Sequence, residues 1–527
     1  MWPQPLDPLQ SAPLSALAAA APLVLVLVLM GGLRKSGLVA SASGLGAAAV
    51  LAVGVWGMPP VLAAWSVVFG ALYAISPILY IVASALWLYN LTRETGHFDR
   101  LRRWMEHHAS GDPCVQVILV AFCFGALLEG CAGFGAPVAV TAFLMGGLGF
   151  APERAVVLAL IANTAPVAFG GMGIPVVALA GVTGLDLARL SAMVGRQVPV
   201  LSLVLPAYLV WVLERGRGLR RTWPAALVAG GLYAAGQLLV SNFWGPHAAD
   251  IVAALLAIAG LVLFLRSARA RGATAPAAPS AREAVTAWLP WVLLSVVIVL
   301  WSHFNLPAVG AVSLAIPGLH EGVFITLYRK PYAALYSVQP LATGTAILVA
   351  TALTALALRT RPAAVLASGA TALRQLARPG LTVVVIVGLA YLYNYSGMAY
   401  TLGAAMAALG PAFPVASSYL GWVGCFLSGS DTASNLLFGN LQVAAAHQLG
   451  LNPYLLAATN SSGGAIGKMI SPQNIAVGVT TVGLIGQEGK VLRSTFGHSV
   501  LLAALIGLLA LAQAYWVPWI APAAGGG

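Results

Sequence analysis

Long apolar runs separated by short polar stretches make up most of this 527-residue chain. A helix of about 20 apolar residues crosses a ~30 Å hydrocarbon layer. The pattern predicts spans at residues 13–33, 37–57, 62–90, 155–181, 189–213, 223–241, 248–265, 286–303, 341–358, 379–400, 453–484 and 497–520. Two further apolar segments, residues 114–150 and 412–449, are each long enough to enter the layer and return. Both carry small and polar residues at their middles, near Gly130–Gly135 and Gly429–Ser434. The expected fold is an all-α polytopic membrane protein with about 12 transmembrane helices and two re-entrant helical hairpins.

Composition sharpens this picture. The chain is 60% hydrophobic and 8% charged, with a mean hydropathy of +0.90, which excludes an ordinary soluble domain. The net charge of +12 is therefore a matter of membrane orientation and lipid contact, not of nucleic acid. With Arg34 and Lys35 cytoplasmic, most of the 26 basic residues fall in cytoplasmic loops, as the positive-inside bias requires. They cluster at Arg93–Arg103, Arg215–Arg221, Arg266–Arg282 and Arg359–Arg378. The N-terminus lacks the basic start of a cleavable signal, since no Lys or Arg precedes the first apolar run. Cys114, Cys123, Cys131 and Cys425 form no CxxC and read as packing residues. No metal or cofactor is expected.

The charge bias survives only if residues 114–150 and 412–449 do not cross. The first hairpin then enters from the cytoplasm and the second from outside. The chain divides into halves, 1–265 and 286–527, joined by a cytoplasmic linker at 266–285, and the halves form an inverted-topology repeat. Residues 91–113 are expected as a basic amphipathic helix on the anionic leaflet or as a solvated loop. Residues 304–340 form the longest outer loop, with an amphipathic stretch around Glu321–Tyr332.

A motif written twice supports the repeat. Asn163-Thr164 is followed by Gly170, Met172 and Pro175; Asn460-Ser461 is followed at the same offsets by Gly467, Met469 and Pro472. A chance match among 58 Gly and 32 Pro is the alternative. Polar, Gly-rich backbone at membrane depth faces protein or a water-filled cavity, and paired interruptions point to a substrate site.

Of 14 carboxylates, Glu129 and Asp431 fall inside apolar segments, with one lysine, Lys468. Ionisable groups at this depth are functional candidates. Free N–H groups at half-helix N-termini near Asn163 and Asn460 attract an anion. Asn163, Thr164, Asn460, Ser461 and Ser462 add donors, as do Ser430, Thr432, Ser434 and Asn435. Gly463, Gly464 and Gly467 would let backbone approach a ligand. One lysine among neutral donors suits a small monocarboxylate. Asp431 and Glu129 are the proton-binding candidates; a structural ion pair of Lys468 with either is the alternative. His97, His107, His108, His303, His320, His447 and His498 have no ligand spacing and read as interfacial.

At these motifs the chain resembles the bacterial L-lactate permease family. The resemblance rests on Leu128-Glu-Gly-Cys-Ala-Gly-Phe-Gly-Ala-Pro-Val138, Ala162-Asn-Thr-Ala-Pro-Val-Ala-Phe169, Ser428-Gly-Ser-Asp-Thr-Ala-Ser-Asn435 and Asn460-Ser-Ser-Gly-Gly-Ala-Ile-Gly-Lys-Met-Ile-Ser-Pro-Gln473. It covers essentially the whole chain, and departs at Cys123 and Cys131, where smaller residues are expected. It implies proton-coupled uptake of L-lactate, D-lactate and glycolate across the bacterial plasma (inner) membrane. It also implies kinship with ion transporters that pair hairpins in inverted repeats and often move as elevators. Sodium-coupled uptake of another organic anion is the rival. A passive channel fits inverted hairpins less well. No HExxH, GxSxG or paired catalytic Asp motif points to an enzyme. The sequence leaves the oligomeric state open, a homodimer included.

Overall fold

The computed structural model describes residues 1–33, 35–108, 111–131, 133, 136–269, 280–327, 329–484 and 487–523. Three segments begin it: α1 (Ala12–Leu27), α2 (Gly37–Gly54), and a bent span made of α3 (Pro60–Tyr73), a π-helical stretch containing Pro77, and α4 (Tyr80–Glu94). Ser36 caps α2 by accepting the Val39 N–H at 3.3 Å, satisfying one of the donors a helix start leaves free.

The basic amphipathic segment is α5 (His97–His108). Its apolar face lies against protein, not lipid. Phe98, Leu101 and Met105 are buried, and Trp104 meets Trp288 edge-on at 5.0 Å. This corrects the expectation that the helix lies on the leaflet.

The first hairpin follows. Its first arm runs from α6 (Pro113–Gln116) through π-helical Val117–Phe124 into α7 (Gly125–Cys131), and residues 114–131 are all buried. The return arm is α8 (Ala136–Gly147), packed back so that Gly125 faces Thr141. Of the expected tip, Ala132, Phe134 and Gly135 lie outside the described residues. Next comes a broken helix, α9 (Pro152–Ala162) and α10 (Gly170–Thr183), bent by 64°.

After α11 (Leu187–Val194), α12 (Val198–Phe243) contains both predicted spans, 189–213 and 223–241. Arg215, at φ 57°, reverses it. Ser202 Oγ donates to Gln237 Oε1 at 2.9 Å, which a straight helix about 70 Å long could not allow. Then α13 (Ala249–Arg269) and α14 (Ala281–His303) flank the linker, whose residues 270–279 lie outside the described ones.

The outer loop departs from an all-helical fold. The expected amphipathic stretch is strand and turn. The N-terminal β1 (Trp2–Pro3) pairs in parallel with β3 (Val323–Ile325), which pairs with β4 (Lys330–Pro331), while β2 (Val312–Ala315) pairs with β5 (Leu335–Val338). Val323, Phe324 and Tyr336 favour strand.

The second half contains α15 (Thr343–Ala357), the long α16 (Pro362–Ser396), and α17 (Met398–Met406), which begins after Gly397 at φ 92° and has no counterpart in the sequence reading. Then α18 (Phe413–Ser428) and α19 (Asp431–Leu449) fold antiparallel about Gly429 at φ 72°. Ser434 bonds the Gly421 carbonyl, and Gln442 that of Ser417. The second broken helix is α20 (Pro453–Gly467) and α21 (Pro472–Thr481), and α22 (Glu488–Tyr515) closes the chain.

By length and composition, 10 described helices can cross a membrane, or 11 with the bent pair, where the sequence predicted twelve. At 15 residues each, α15 and α20 are about 22 Å long, short of the hydrocarbon thickness. Val24, Leu203, Leu239 and Leu505 stay exposed on outward helix faces, as a lipid-facing belt requires.

Candidate functional site

The two breaks and the first hairpin meet at one ion pair. α20 ends at Gly467, a 3-10 turn carries Lys468, and Ser471 restarts the chain as α21 by capping Asn474 N–H at 3.3 Å. Lys468 Nζ donates to Glu129 Oε1 at 2.5 Å, both side chains deeply buried. Glu129 Oε2 accepts from Asn163 Nδ2 at 3.0 Å. Gly170 lies so close that an added Cβ would sit 2.6 Å from Glu129 Oε1. One carboxylate is thus held by a cation from the second broken helix and an amide from the first.

The first break is held in an uncommon conformation. Gly171, Met172 and Gly173 all have positive φ, at 52°, 65° and 73°. Non-glycine residues rarely adopt this region, and it persists only where surroundings enforce it. His247 does so here: its Nδ1 lies 2.9 Å from the Met172 carbonyl oxygen. The sequence reading passed over His247, which has no motif of its own.

Asp431 opens α19 directly after the capping Ser430, whose hydroxyl accepts the Ala433 N–H at 3.3 Å. Its Oδ2 accepts from Ser461 Oγ at 2.8 Å, and Asn435 Nδ2 lies 3.5 Å away. Its Oδ1 is buried with no hydrogen-bond partner among the described residues. Asn435 Nδ2 also reaches Ser461 Oγ at 3.0 Å and the Pro175 carbonyl at 3.1 Å. Asn460 Nδ2 donates to Asn435 Oδ1 at 2.9 Å, and Gln442 Nε2 to Asn460 Oδ1 at 3.0 Å. The second hairpin, α20 and the end of the first break therefore share one polar network, and Asp431 feels the charges of both Lys468 and Glu129.

Other expected donors point elsewhere. Ser462 donates to Gln197 Oε1 at 2.8 Å, and Gln197 donates on to Thr459 and Gln513. Thr164 bonds its own helix at the Ile161 carbonyl, Ser434 braces the hairpin, and Thr432 is half-buried. Asn163 is at the C-terminal end of α9 and Asn460 lies within α20, so neither marks a helix N-terminus. The N-termini present are those of α10, α19 and α21. Gly463 and Gly467 serve packing, not ligand approach. They face the carbonyls of Ser418 and Trp422, as Gly421 faces that of Asn460, and small residues let α18 and α20 come this close. Gly464 faces Asp431 Oδ1.

A third buried carboxylate was missed. Asp250, 1% exposed, accepts at Oδ1 from Tyr233 OH at 3.0 Å and Gln237 Nε2 at 2.9 Å. It lies two residues into the predicted span 248–265, and α13 begins inside the protein, against Gly130 of the first hairpin. Among the described residues, no three His, Cys, Asp or Glu side chains gather as metal ligands. Two grooves, of about 250 and 690 Å³, flank α12 and are lined by residues such as Leu205, Trp211, Leu203 and Trp519, not by this centre.

A charged centre enclosed by broken helices inside a lipid-facing bundle defines a multi-pass membrane permease. Comparison with known proteins gives the family. A family model for L-lactate permease matches residues 15–517, and the chain belongs to the L-lactate permease family. It is 39% identical over 550 residues to a protein named glycolate permease GlcA from Escherichia coli K12, covering 98% of both chains. It is 38% identical over 550 residues to the L-lactate permease of Salmonella typhimurium, covering 99% of this chain and 100% of that one. The solved YdaH transporter of Alcanivorax borkumensis aligns at 14% identity with a TM-score of 0.48, covering 87% of this chain and 89% of that one. The chain is a multi-pass protein of the bacterial plasma membrane.

Proposed function

We propose that this chain is a secondary active transporter that carries L-lactate and related small 2-hydroxymonocarboxylates, D-lactate and glycolate, together with a proton. The observation that carries the reading is the buried contact between Lys468 and Glu129. One lysine has one carboxylate partner, and an incoming substrate carboxylate competes for the same ammonium. Glu129, displaced, stays in a low-dielectric site without a cation. A buried carboxylate in that position is far more stable as the neutral acid, so each anion entering brings a proton. Asp431, whose Oδ1 has no described partner, is the second seat for that proton. The substrate 2-hydroxyl then bonds to hydroxyls of the second hairpin, Ser430 or Thr432, beside the N-terminus of α19.

The names of the relatives support lactate and glycolate as substrates. The two helix–break–helix units, each preceded by a folded-back pair, support the reading of re-entrant hairpins in an inverted repeat of residues 1–265 and 286–527. Alternating access then comes from movement of the hairpin-bearing helices against α2, α3, α4 and α16, which pack on one another.

Uptake of labelled lactate into proteoliposomes after a pH jump tests this. The expected result is uphill accumulation by wild type, loss of binding in Lys468→Ala, and retained exchange without accumulation in either Asp431→Asn or Glu129→Gln. Normal accumulation in all three variants overturns the site. Collapse of flux on replacing sodium transfers the chain to sodium-coupled transport.

A further inference from the structure

We propose that Asp250 is an additional proton-holding carboxyl of the transport cycle, seated where the start of α13 packs against Gly130 of α7. The inference rests on the proton-coupled reading above and adds a residue to it.

The geometry is that of a carboxyl with one side held and one side open. Tyr233 and Gln237, both on the second limb of α12, fix Oδ1 with two neutral hydrogen bonds. The Gln237 amide cannot turn over to offer its oxygen, because its Oε1 accepts from Ser202 and its Nε2 also donates to the Ala165 carbonyl at 3.3 Å. Oδ2 is buried and has no hydrogen-bond partner among the described residues. An ionised carboxylate left this way carries a heavy desolvation penalty; a proton on Oδ2 removes the buried charge.

Among the described residues, no cation is paired with Asp250. Of the elements packed on α13, α12 presents Tyr233, α7 presents Glu129 and Cys131, and the π-helical stretch before α7 presents Cys123. α10 has no titratable side chain, and those of α14 are Arg282, Glu283 and His303 at its ends. His247, three residues before Asp250, is turned to the Met172 carbonyl. Lys468 reaches Asp250 only through space and is already paired with Glu129. Three buried carboxyls thus share one buried lysine, and the pairing of Glu129 leaves Asp250 to be neutralised by a proton.

The placement sets that carboxyl against the first hairpin. A Cβ on Gly130 would sit 2.9 Å from Asp250 Cβ and 3.1 Å from Ile251 Cγ1, so α7 packs directly against the base of the Asp250 side chain. Gln237 ties the same carboxyl to Ala165 at the first break. Glu129 precedes Gly130 on α7, so displacing Glu129 from Lys468 bears on the residue packed against Asp250.

The test is Asp250→Asn in proteoliposomes, assayed for labelled-lactate counterflow at equal pH and for accumulation under a one-unit pH gradient. Such a gradient drives about tenfold accumulation per proton carried. The expected result is counterflow that persists with a flattened pH dependence, and accumulation that falls at least severalfold below wild type. Wild-type accumulation with a wild-type pH profile in Asp250→Asn overturns the inference while leaving the transport reading intact. If wild type itself fails to accumulate lactate under the gradient, the transport reading fails instead. Should Asp250→Asn show no counterflow, Tyr233→Phe decides: loss of one donor to the carboxylate moves the counterflow midpoint to higher pH, and an unmoved midpoint overturns the assignment.

Discussion

Lys468 and Glu129 stand 339 residues apart in the chain and 2.5 Å apart in space, and this single contact ties the second broken helix to the first hairpin. Removing one partner of a buried pair leaves an uncompensated charge and costs about 3–5 kcal/mol. Lys468→Met and Glu129→Gln should each lower the thermal stability of the detergent-purified protein. The double variant, with neither charge left, should lose clearly less than the two singles together. Strictly additive losses would show that the pair is not coupled in the folded protein.

The small residues between α18 and α20 are a packing device, and this separates them from ligand contacts. An alanine at Gly463 brings its methyl within 2.7 Å of the Ser418 carbonyl carbon, fixed backbone that cannot yield. Gly463→Ala should destabilise by about 1–3 kcal/mol, the usual range for overpacking. Gly231→Ala, on α12 with nothing within 4 Å, is the control and should be neutral or stabilising by up to about 1 kcal/mol through helix propensity. Equal melting temperatures for the two variants would remove the close-packing account.

The sequence made the broken helices and the Glu129, Asp431 and Lys468 cluster legible because apolar surroundings make polar interruptions conspicuous. Offsets from Asn163 and Asn460 placed the breaks within a turn or two. Direction is not legible: a motif marks where a helix is interrupted, not which limb ends there, so the expected N-termini near Asn163 and Asn460 lie instead several residues on, at Gly170 and Pro472. Asp250 was hidden because an Asp at the edge of an apolar run looks interfacial until α7 is seen packed against it. The strands of the outer loop were hidden for another reason. β1 and β3 lie some 320 residues apart in the chain, and no local pattern encodes that pairing.

His97, at the start of α5, gives a pH response. Burial and the neighbouring Arg100 guanidinium hold its imidazole below its ordinary pKa, and Arg100 Nη1 donates to His97 Nδ1 at 3.3 Å, which requires the neutral ring. A folded value below the unfolded value means the unfolded chain binds the extra proton. The stabilisation is therefore full above the unfolded value of about pH 6.5 and is lost as pH falls below it and through the lower folded value. Hydrogen exchange across α5, corrected for intrinsic rates, should speed up between pH 7.5 and pH 5.5 in wild type and much less in His97→Gln. An identical response in both would place the titration elsewhere.

Membrane topology is the sharpest test of the hairpins. Each of the four native cysteines is buried and unpaired, so a cysteine-free background is attainable by small substitutions. Single cysteines at exposed Gly111 and Ala151 bracket the first folded-back pair; those at exposed Ala412 and Gln448 bracket the second. A hairpin that enters and returns leaves both its ends on one face, whereas a crossing segment puts them on opposite faces. A membrane-impermeant maleimide applied to intact cells should therefore label 412 and 448 and spare 111 and 151 until the membrane is opened. The α8 arm, 12 residues and about 18 Å long, is too short to cross unaided, which is why the first pair should pass this test. Labelling that splits either pair between the two faces would convert that hairpin into a crossing. Every basic loop after it would then change sides, against the positive-inside bias of the chain.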